Sequence, residues 1–523
     1  MPERFYVTTP IYYVNDRPHI GHVYTTTVAD IVARYERLRG KEVFFLTGTD
    51  EHAAKVVDSA EAHDMTAQEW ADRNAAQFQK AFEDLGMSHD DFIRTTEDRH
   101  KTRVLRYVQA MMESGDVYLG EYEGWYDAGQ EEYLPENKAR EFEFKSPING
   151  KPLVKKSEKN YFFRLSGYSD GLLAHLDEHP DFLIPPARKN ELIGRIEEGL
   201  NDVPISRTGA DGWGIPMPGD ETHTIYVWID ALFNYLTTVD TDDRRAFWPC
   251  TMHLLAKDIL WFHAAIWPAM LMALGKCPGY EWVGLPGQVC AHSFWIAEGR
   301  KMSKSLGNFV DMERIQDYVE RFGVDALRYF LAGYGPVGAS DRDFAEARFI
   351  EAYNKELANV VGNGVNRVAT MVGKYCDGTL PEPGDPVPEA EDLRTSVHAA
   401  YDRYVPAMDS VRLDQAVEAA VDVFRAMDVF IDRTQPFKRA KDPAEAGTVR
   451  TILRECTEAI RIGSTLLSPI MPERMGEVWR RYGFAEPAPG VDSMAAARAW
   501  SQVAGGTSVE KGDPLFARYQ PPA

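Results

Sequence analysis

The sequence predicts an α/β fold: a doubly wound, parallel-sheet domain with a small inserted α/β domain, followed by an α-helical bundle. Three observations predict it. Strand, helix and strand patterns succeed one another at the start of the chain. Short strands and turns rich in Gly, Tyr, Glu and Lys interrupt that alternation from Gly115. Strand patterns then vanish from about Phe344 onward. A chain of 523 residues exceeds what one hydrophobic core serves, which fits several domains.

The first strand is RFYVTT, residues 4–9, with the β-branched and aromatic bias of a buried strand. Over residues 23–39 apolar residues recur at helical spacing (Val23, Thr27, Ala29, Ile31, Val32, Tyr35, Leu38), and Gly40 stops the helix. Between them lies PIYYVNDRPHIGH, residues 10–22, a strand-to-helix crossing. His19, Gly21 and His22 fall at or just before the first helical turn, where unpaired N–H groups and the helix dipole favour an anion such as phosphate. Gly21 lets a ligand approach the backbone. The two imidazoles either donate to phosphate oxygens or cap the helix without a ligand.

EVFFLT, residues 42–47, is the second strand and leads into Gly48-Thr49-Asp50-Glu51-His52. Ligands of parallel sheets sit outside the carboxyl ends of the strands. Asp50 therefore faces the crevice of His19 and His22, where it either meets a substrate ammonium or caps a helix over residues 51–62. Helical patterns continue over 66–85 and 98–114. Residues 115–163 read as the insertion, with a hairpin turn at 146–151. Residues 168–201 read as helical, and 205–230 as strand-like alternation ending in YVWID. A buried strand at 253–256 leads into KDILWFH, with Asp258 near the start of a helix and His263 five residues later.

After another strand, Lys301 and Lys304 flank a Ser/Gly-bracketed loop. They either fold over a polyphosphate as mobile point charges or form a solvated turn. Amphipathic patterns over 349–374, 391–408, 413–434, 444–467 and 468–482 make the bundle, with a Pro/Gly-rich loop at 377–388 and a tail that wraps back. The expected domains are 1–114 and 226–343 as the two halves of the catalytic domain, 115–225 as the insertion and return to the sheet, and 344–523 as the helical domain.

Composition narrows the function. With 44% hydrophobic and 26% charged residues the chain has a globular composition, and its net charge of −22 argues against diffuse binding to nucleic acid or anionic membrane. A polyanionic partner is then held at one local basic patch, with strong salt dependence. The five cysteines form no CxxC pair, which argues against a disulfide framework and a cysteine zinc site. No signal-peptide pattern follows Met1, and the most apolar run, 261–274, is short and broken by Pro268, so a cytoplasmic location is expected.

HIGH at residues 19–22 and KMSKS at residues 301–305 match the two signatures of class I aminoacyl-tRNA synthetases. Within that class the chain resembles the methionyl-tRNA synthetases. PIYYVNDRPHIGH, FLTGTDEH, YVWIDAL, KDILWFHAAIWPAML and KMSKSLGN look like that family's blocks in its order, over essentially the whole chain, and the closing DPLFAR resembles the shorter bacterial-type form. The resemblance implies attack of the methionine carboxylate on the α-phosphate of Mg-ATP, giving methionyl-adenylate and pyrophosphate, then transfer to tRNA(Met) with release of AMP. It implies His19, His22, Lys301 and Lys304 as catalytic groups, with Lys304 the most costly to lose. Gly21 and Asp258 join them in holding ATP, Asp258 at the ribose and Gly21 under the adenine. Ile11, Tyr13, Asp50, Trp228, Tyr235, Ile259 and His263 are implied at methionine, although Trp228 taken alone reads as core packing. Asn359, Asn363 and Arg367, four apart on one helix face, are implied at the CAU anticodon.

Phe437 stands where the family stacks a tryptophan after proline, here Pro436. Ala256 stands where relatives often carry glycine, which crowds the nucleotide end. The insertion has no cysteine, so no structural zinc is expected there and packing must hold its shape. A monomer is expected. Synthetases for leucine, isoleucine or valine carry a much larger editing insertion. A small-molecule nucleotidyltransferase needs no helix bundle. Intact HIGH and KMSKS argue against a non-catalytic tRNA-binding relative.

Overall fold

The first strand, helix and second strand form as Arg4–Thr8, Ile20–Leu38 and Glu42–Asp50. The computed structural model describes residues 3–127, 132–134, 136–146, 150–208, 212–297, 299–302 and 308–520. Glu42–Asp50 lies between Arg4–Thr8 and Asp91–Arg94. On its other side Arg4–Thr8 pairs with Met252–Ala256, followed by Gln288–His292 and, at the edge, Leu183–Ile184, all in parallel. The short strand Tyr12–Tyr13 extends along Glu42–Asp50 and sets Tyr13 opposite Asp50.

Strand alternation explains why the sheet is covered twice. Phe5, Val7 and Phe45 pack with Ile20–Leu38 on one face, whereas Tyr6, Phe44 and Leu46 pack with Val104, Tyr107 and Trp267 on the other. Chain order runs outward from Arg4–Thr8 through Glu42–Asp50 to Asp91–Arg94. In the opposite direction it runs from Met252–Ala256 to Gln288–His292, with the earlier Leu183–Ile184 added at that edge. The crevice beyond the carboxyl ends of Arg4–Thr8 and Met252–Ala256 is thus the topological switch point where such sheets bind ligands.

Two elements differ from the sequence reading. Residues 226–230 are not strand: the strand ends at Ile225, and Val227–Leu232 is a helix. Val227, Ile229, Asp230 and Leu232 are all buried, so the run shows no polar face from which to read a period. Residues 168–201 are not wholly helical, because Leu183–Ile184 separates Ser169–Glu178 from Lys189–Glu197. A two-residue strand is too short to leave a pattern.

The insertion is an antiparallel ribbon of Val117–Asp127 against Val154–Phe163, with a small core of Leu134, Ala139 and Leu153 against Trp125 and Phe144. A Ser146 N–H to Lys151 C=O bond of 2.7 Å spans the predicted turn. In the helical region Leu413–Thr434 packs against Ala390–Asp409 and Ala446–Leu467. Helix Val324–Tyr334 packs on Leu413–Thr434 and so joins the part of the chain before residue 344 to this layer.

A buried ion cluster fixes the junction. Asp30, on the same helix as His22, accepts from Arg34 at 2.7 Å, Arg328 at 2.5 Å and the Ser88 N–H at 2.6 Å. Arg328 also donates to the carbonyls of Pro469 and Ile470. Burial raises the affinity of Asp30 for a proton, but the two guanidiniums more than offset this and hold its pKa at about 2, below the ordinary 3.8. Its stabilisation is thus complete above about pH 4 and lost as pH falls toward about 2. Asp30→Ala leaves Arg328 buried without its anion, and urea denaturation should read a loss of about 3–5 kcal/mol.

Candidate active site

The histidines of the first helix cap it and remain donors. His19, with extended backbone at the N-cap, accepts the Gly21 N–H on Nδ1 at 3.0 Å. His22 accepts the His19 N–H on Nδ1 at 3.2 Å. Each Nδ1 is therefore a lone-pair acceptor, and the proton of each neutral ring sits on Nε2. Burial, reinforced by neighbouring His19, pushes the His22 pKa well below the ordinary value, so its ring is neutral. The rings lie 3.8 Å apart by centroid. The two alternatives read from sequence are thus compatible: Nδ1 caps while Nε2–H donates. A Cβ on Gly21 would meet the His19 ring at 2.9 Å, so glycine here also makes room for an imidazole.

Thr25 binds His292 at the end of Gln288–His292 (2.7 Å), fixing the helix start to the sheet. The Ile20 N–H donates to Val310 C=O at 3.1 Å, and the Phe309 ring meets His19 edge-on at 5.1 Å. The chain that leaves the KMSKS segment is thereby tied to the helix start. Lys301 belongs to the short strand Arg300–Lys301 paired with Trp295–Ala297. Its side chain, and residues 303–307 including Lys304, lie outside the described residues.

Asp50 ends its strand, 4% exposed, and its Oδ1 meets no hydrogen-bond donor. It does not cap the next helix, which starts only at Ala54 after an Ala53 N-cap. Burial first, then the charges of Asp230 and Glu51, push its pKa well above the ordinary carboxyl value. Glu51 is satisfied by Arg94, whose Nε and Nη2 donate at 2.7 and 3.0 Å. A buried carboxylate with an open oxygen is costly unless a cation completes it.

The other predicted residues fall in several packing groups. Tyr13 and Trp228 pack in one cluster, and the Trp228 ring lies 4.0 Å from Phe262. Ile11 and Ile259 pack against the cluster that holds Tyr235. His263 donates from Nδ1 to Ile259 C=O at 3.0 Å, so its Nε2 accepts the Tyr235 hydroxyl at 2.7 Å. Burial lowers the His263 pKa to about 4, which keeps it a neutral acceptor. Asp258 lies exposed on the turn Lys257–Ile259, just past the strand that ends at Ala256. Asn359 and Asn363 are exposed and Arg367 half-buried along the continuous helix 346–375; the Arg367 guanidinium lies 5.8 Å over the Phe437 ring. Sequence reasoning missed Phe262, although it adjoins His263. It also missed Asp230, His52 and His100, which distant segments bring together. Among the described residues no group of three or more His, Cys, Asp or Glu side chains stands ready for a metal ion.

The family model for class I tRNA synthetases of the M type matches residues 5–141 and 141–369. The methionine–tRNA ligase of Bacillus subtilis is 40% identical over 99% of this chain and 78% of its own length. That of Streptomyces coelicolor is 42% identical over 99% of this chain and 97% of its own. The chain belongs to the methionyl-tRNA synthetase family, within class I. The fold agrees: the Mycobacterium tuberculosis methionyl-tRNA synthetase in complex with methionyl-adenylate superposes with a TM-score of 0.89 at 36% identity, covering 99% of this chain and 100% of that one. The free form of the same mycobacterial enzyme gives a TM-score of 0.84 at 34% identity. In this methionyl-tRNA synthetase family member the HIGH helix start follows the strand Arg4–Thr8, and Asp50 ends the neighbouring parallel strand Glu42–Asp50.

Proposed function

We propose that this chain joins L-methionine to tRNA(Met) through a methionyl-adenylate, releasing pyrophosphate and AMP. The observation that carries the reading is Asp50: a buried carboxylate whose Oδ1 meets no donor, opposite Tyr13 in the strand register, with Trp228 packed in the Tyr13 cluster and against Phe262. Asp50 takes the substrate ammonium. The aromatic wall takes the thioether, and each sulfur–ring contact adds about 0.3–1.5 kcal/mol. With Ile11, Ile259 and the Tyr235–His263 pair closing the pocket, the carboxylate of methionine is directed at the α-phosphate.

The chemistry then needs alignment and stabilisation of charge growing on phosphate oxygens. His19 and His22 supply Nε2–H donors, Gly21 admits the adenine and Asp258 holds the ribose. Lys304, assisted by Lys301, follows the charge onto the leaving pyrophosphate. Lys304 is five residues from Phe309, a chain length of at most about 18 Å. ATP enters as its Mg2+ complex, and no structural zinc is required. Residues 1–114 and 226–343 make the catalytic domain, 115–225 the insertion and 344–523 the helical domain. In the last, Asn359, Asn363, Arg367 and Phe437 read the anticodon by hydrogen bonding and stacking. The chain works as a cytoplasmic monomer; no helix among the described residues is long and apolar enough to cross a membrane.

Amino-acid-dependent exchange of pyrophosphate into ATP tests the reading. Methionine should support it, and exchange with leucine but not methionine would overturn it. Asn363→Ala should lower tRNA charging by about tenfold while exchange stays within about twofold, since it removes one base contact of about 1–3 kcal/mol. Equal losses in both assays would reject the anticodon role.

A further inference from the structure

We infer that Asp230 is a positioning residue for both ends of the methionine site, acting through His52 on Asp50 and through its own helix on Trp228. The inference rests on the methionine reading given above.

Asp230 is 1% exposed. Its Oδ2 accepts from His52 Nδ1 at 2.6 Å and its Oδ1 from His100 Nε2 at 2.6 Å. Burial alone would raise its pKa, but the two imidazoles more than offset this and hold it at about 2, so it is an anion. His52 lies two residues past Asp50, on the segment that leaves the strand Glu42–Asp50. Whatever fixes the His52 ring therefore fixes the chain that leaves the Asp50 strand end. Trp228 lies two residues before Asp230 on Val227–Leu232, a helix with no side-chain N-cap. Anchoring Asp230 thus sets how that short helix rotates its indole toward Phe262. From the far side His100 bonds Thr237 Oγ1 at 2.9 Å, on the turn that carries Tyr235. One buried anion therefore ties together the strand end, the thioether wall and the hydroxyl paired with His263.

Charge balance makes the same assignment. Three carboxylates crowd this corner. Glu51 is paired with Arg94, and both oxygens of Asp230 accept hydrogen bonds from imidazoles. Only Asp50 keeps an oxygen without a donor. The network thus directs an incoming ammonium to one carboxylate of the three.

The test is steady-state methionine-dependent pyrophosphate exchange, with cooperative thermal melting as the folding control. Asp230→Asn should raise the methionine KM by at least about tenfold and leave the ATP KM within about twofold, because a misplacement near 1 Å acts only on the ligand it aligns. His100→Leu, which removes a donor, should behave alike, whereas His100→Gln, which can restore one, should bring the methionine KM back to within about threefold of the parent. If Asp230→Asn does not fold, His52→Ala, which leaves Asp230 paired with His100, provides the same reading. A methionine KM within about twofold of the parent, or equal rises in the two KM values, would overturn the inference. Absence of methionine-dependent exchange in the parent chain would instead reject the functional reading.

Discussion

Asp50→Asn is expected to raise the methionine KM by roughly two to three orders of magnitude, the equivalent of about 3–4 kcal/mol, with the ATP KM nearly unchanged. The reason is local. Nothing else at this corner offers a carboxylate oxygen without a donor, since Glu51 is paired with Arg94 and both oxygens of Asp230 accept from imidazoles. The same residue sets a proton linkage. Free Asp50 binds a proton more tightly than an ordinary carboxyl, through burial and the charges of Asp230 and Glu51. Its complex with an ammonium requires the ionised form. Methionine binding near and below that raised pKa should therefore release a proton, and affinity should fall as pH drops through it. Titration calorimetry in two buffers of different ionisation enthalpy reads the release directly. Asp50→Asn should abolish it, and a linkage that survives the substitution would assign the proton elsewhere.

His22→Asn is expected to lower the rate of exchange by about 10²–10³-fold with little change in the methionine KM. Asparagine retains an acceptor near the position of Nδ1, so the bond from the His19 N–H can persist, but it has no donor near Nε2. His22→Gln reverses the exchange of parts: it can restore the distal donor while disturbing the cap. It should lose less, by about tenfold, if charge on phosphate is what the ring stabilises. A larger loss in glutamine than in asparagine would make helix capping the main task of His22.

Much of this was legible in the sequence, for identifiable reasons. The helix Ile20–Leu38 and its flanking strands were readable because each carries a pattern matched to its burial, and the strand-to-helix crossing followed. Whether Asp50 is a cap or a ligand group was not, because the answer depends on the helix starting at Ala54 rather than three residues earlier. Boundaries of that kind are set by tertiary packing as much as by local propensity. The helix Val227–Leu232 was misread because its surroundings are buried on every side. The Asp230 network was invisible for another reason: its partners lie 178 and 130 residues away along the chain, and no spacing rule spans such separations. Motif resemblance supplied the proposed ligand residues but passed over Asp230, the buried carboxylate bonded to His52 and His100.

The account's central claim is that imidazoles from the first helix and ammonium groups from a loop some 280 residues later meet on one triphosphate. A crystal structure with methionine and a non-hydrolysable ATP analogue tests it most directly. The account predicts His19 Nε2, His22 Nε2 and Lys304 Nζ each within about 2.7–3.2 Å of oxygens of the same triphosphate, with Asp50 on the methionine ammonium. A triphosphate bound away from both histidines, or Lys304 held beyond reach of it with the pocket filled, would contradict the account.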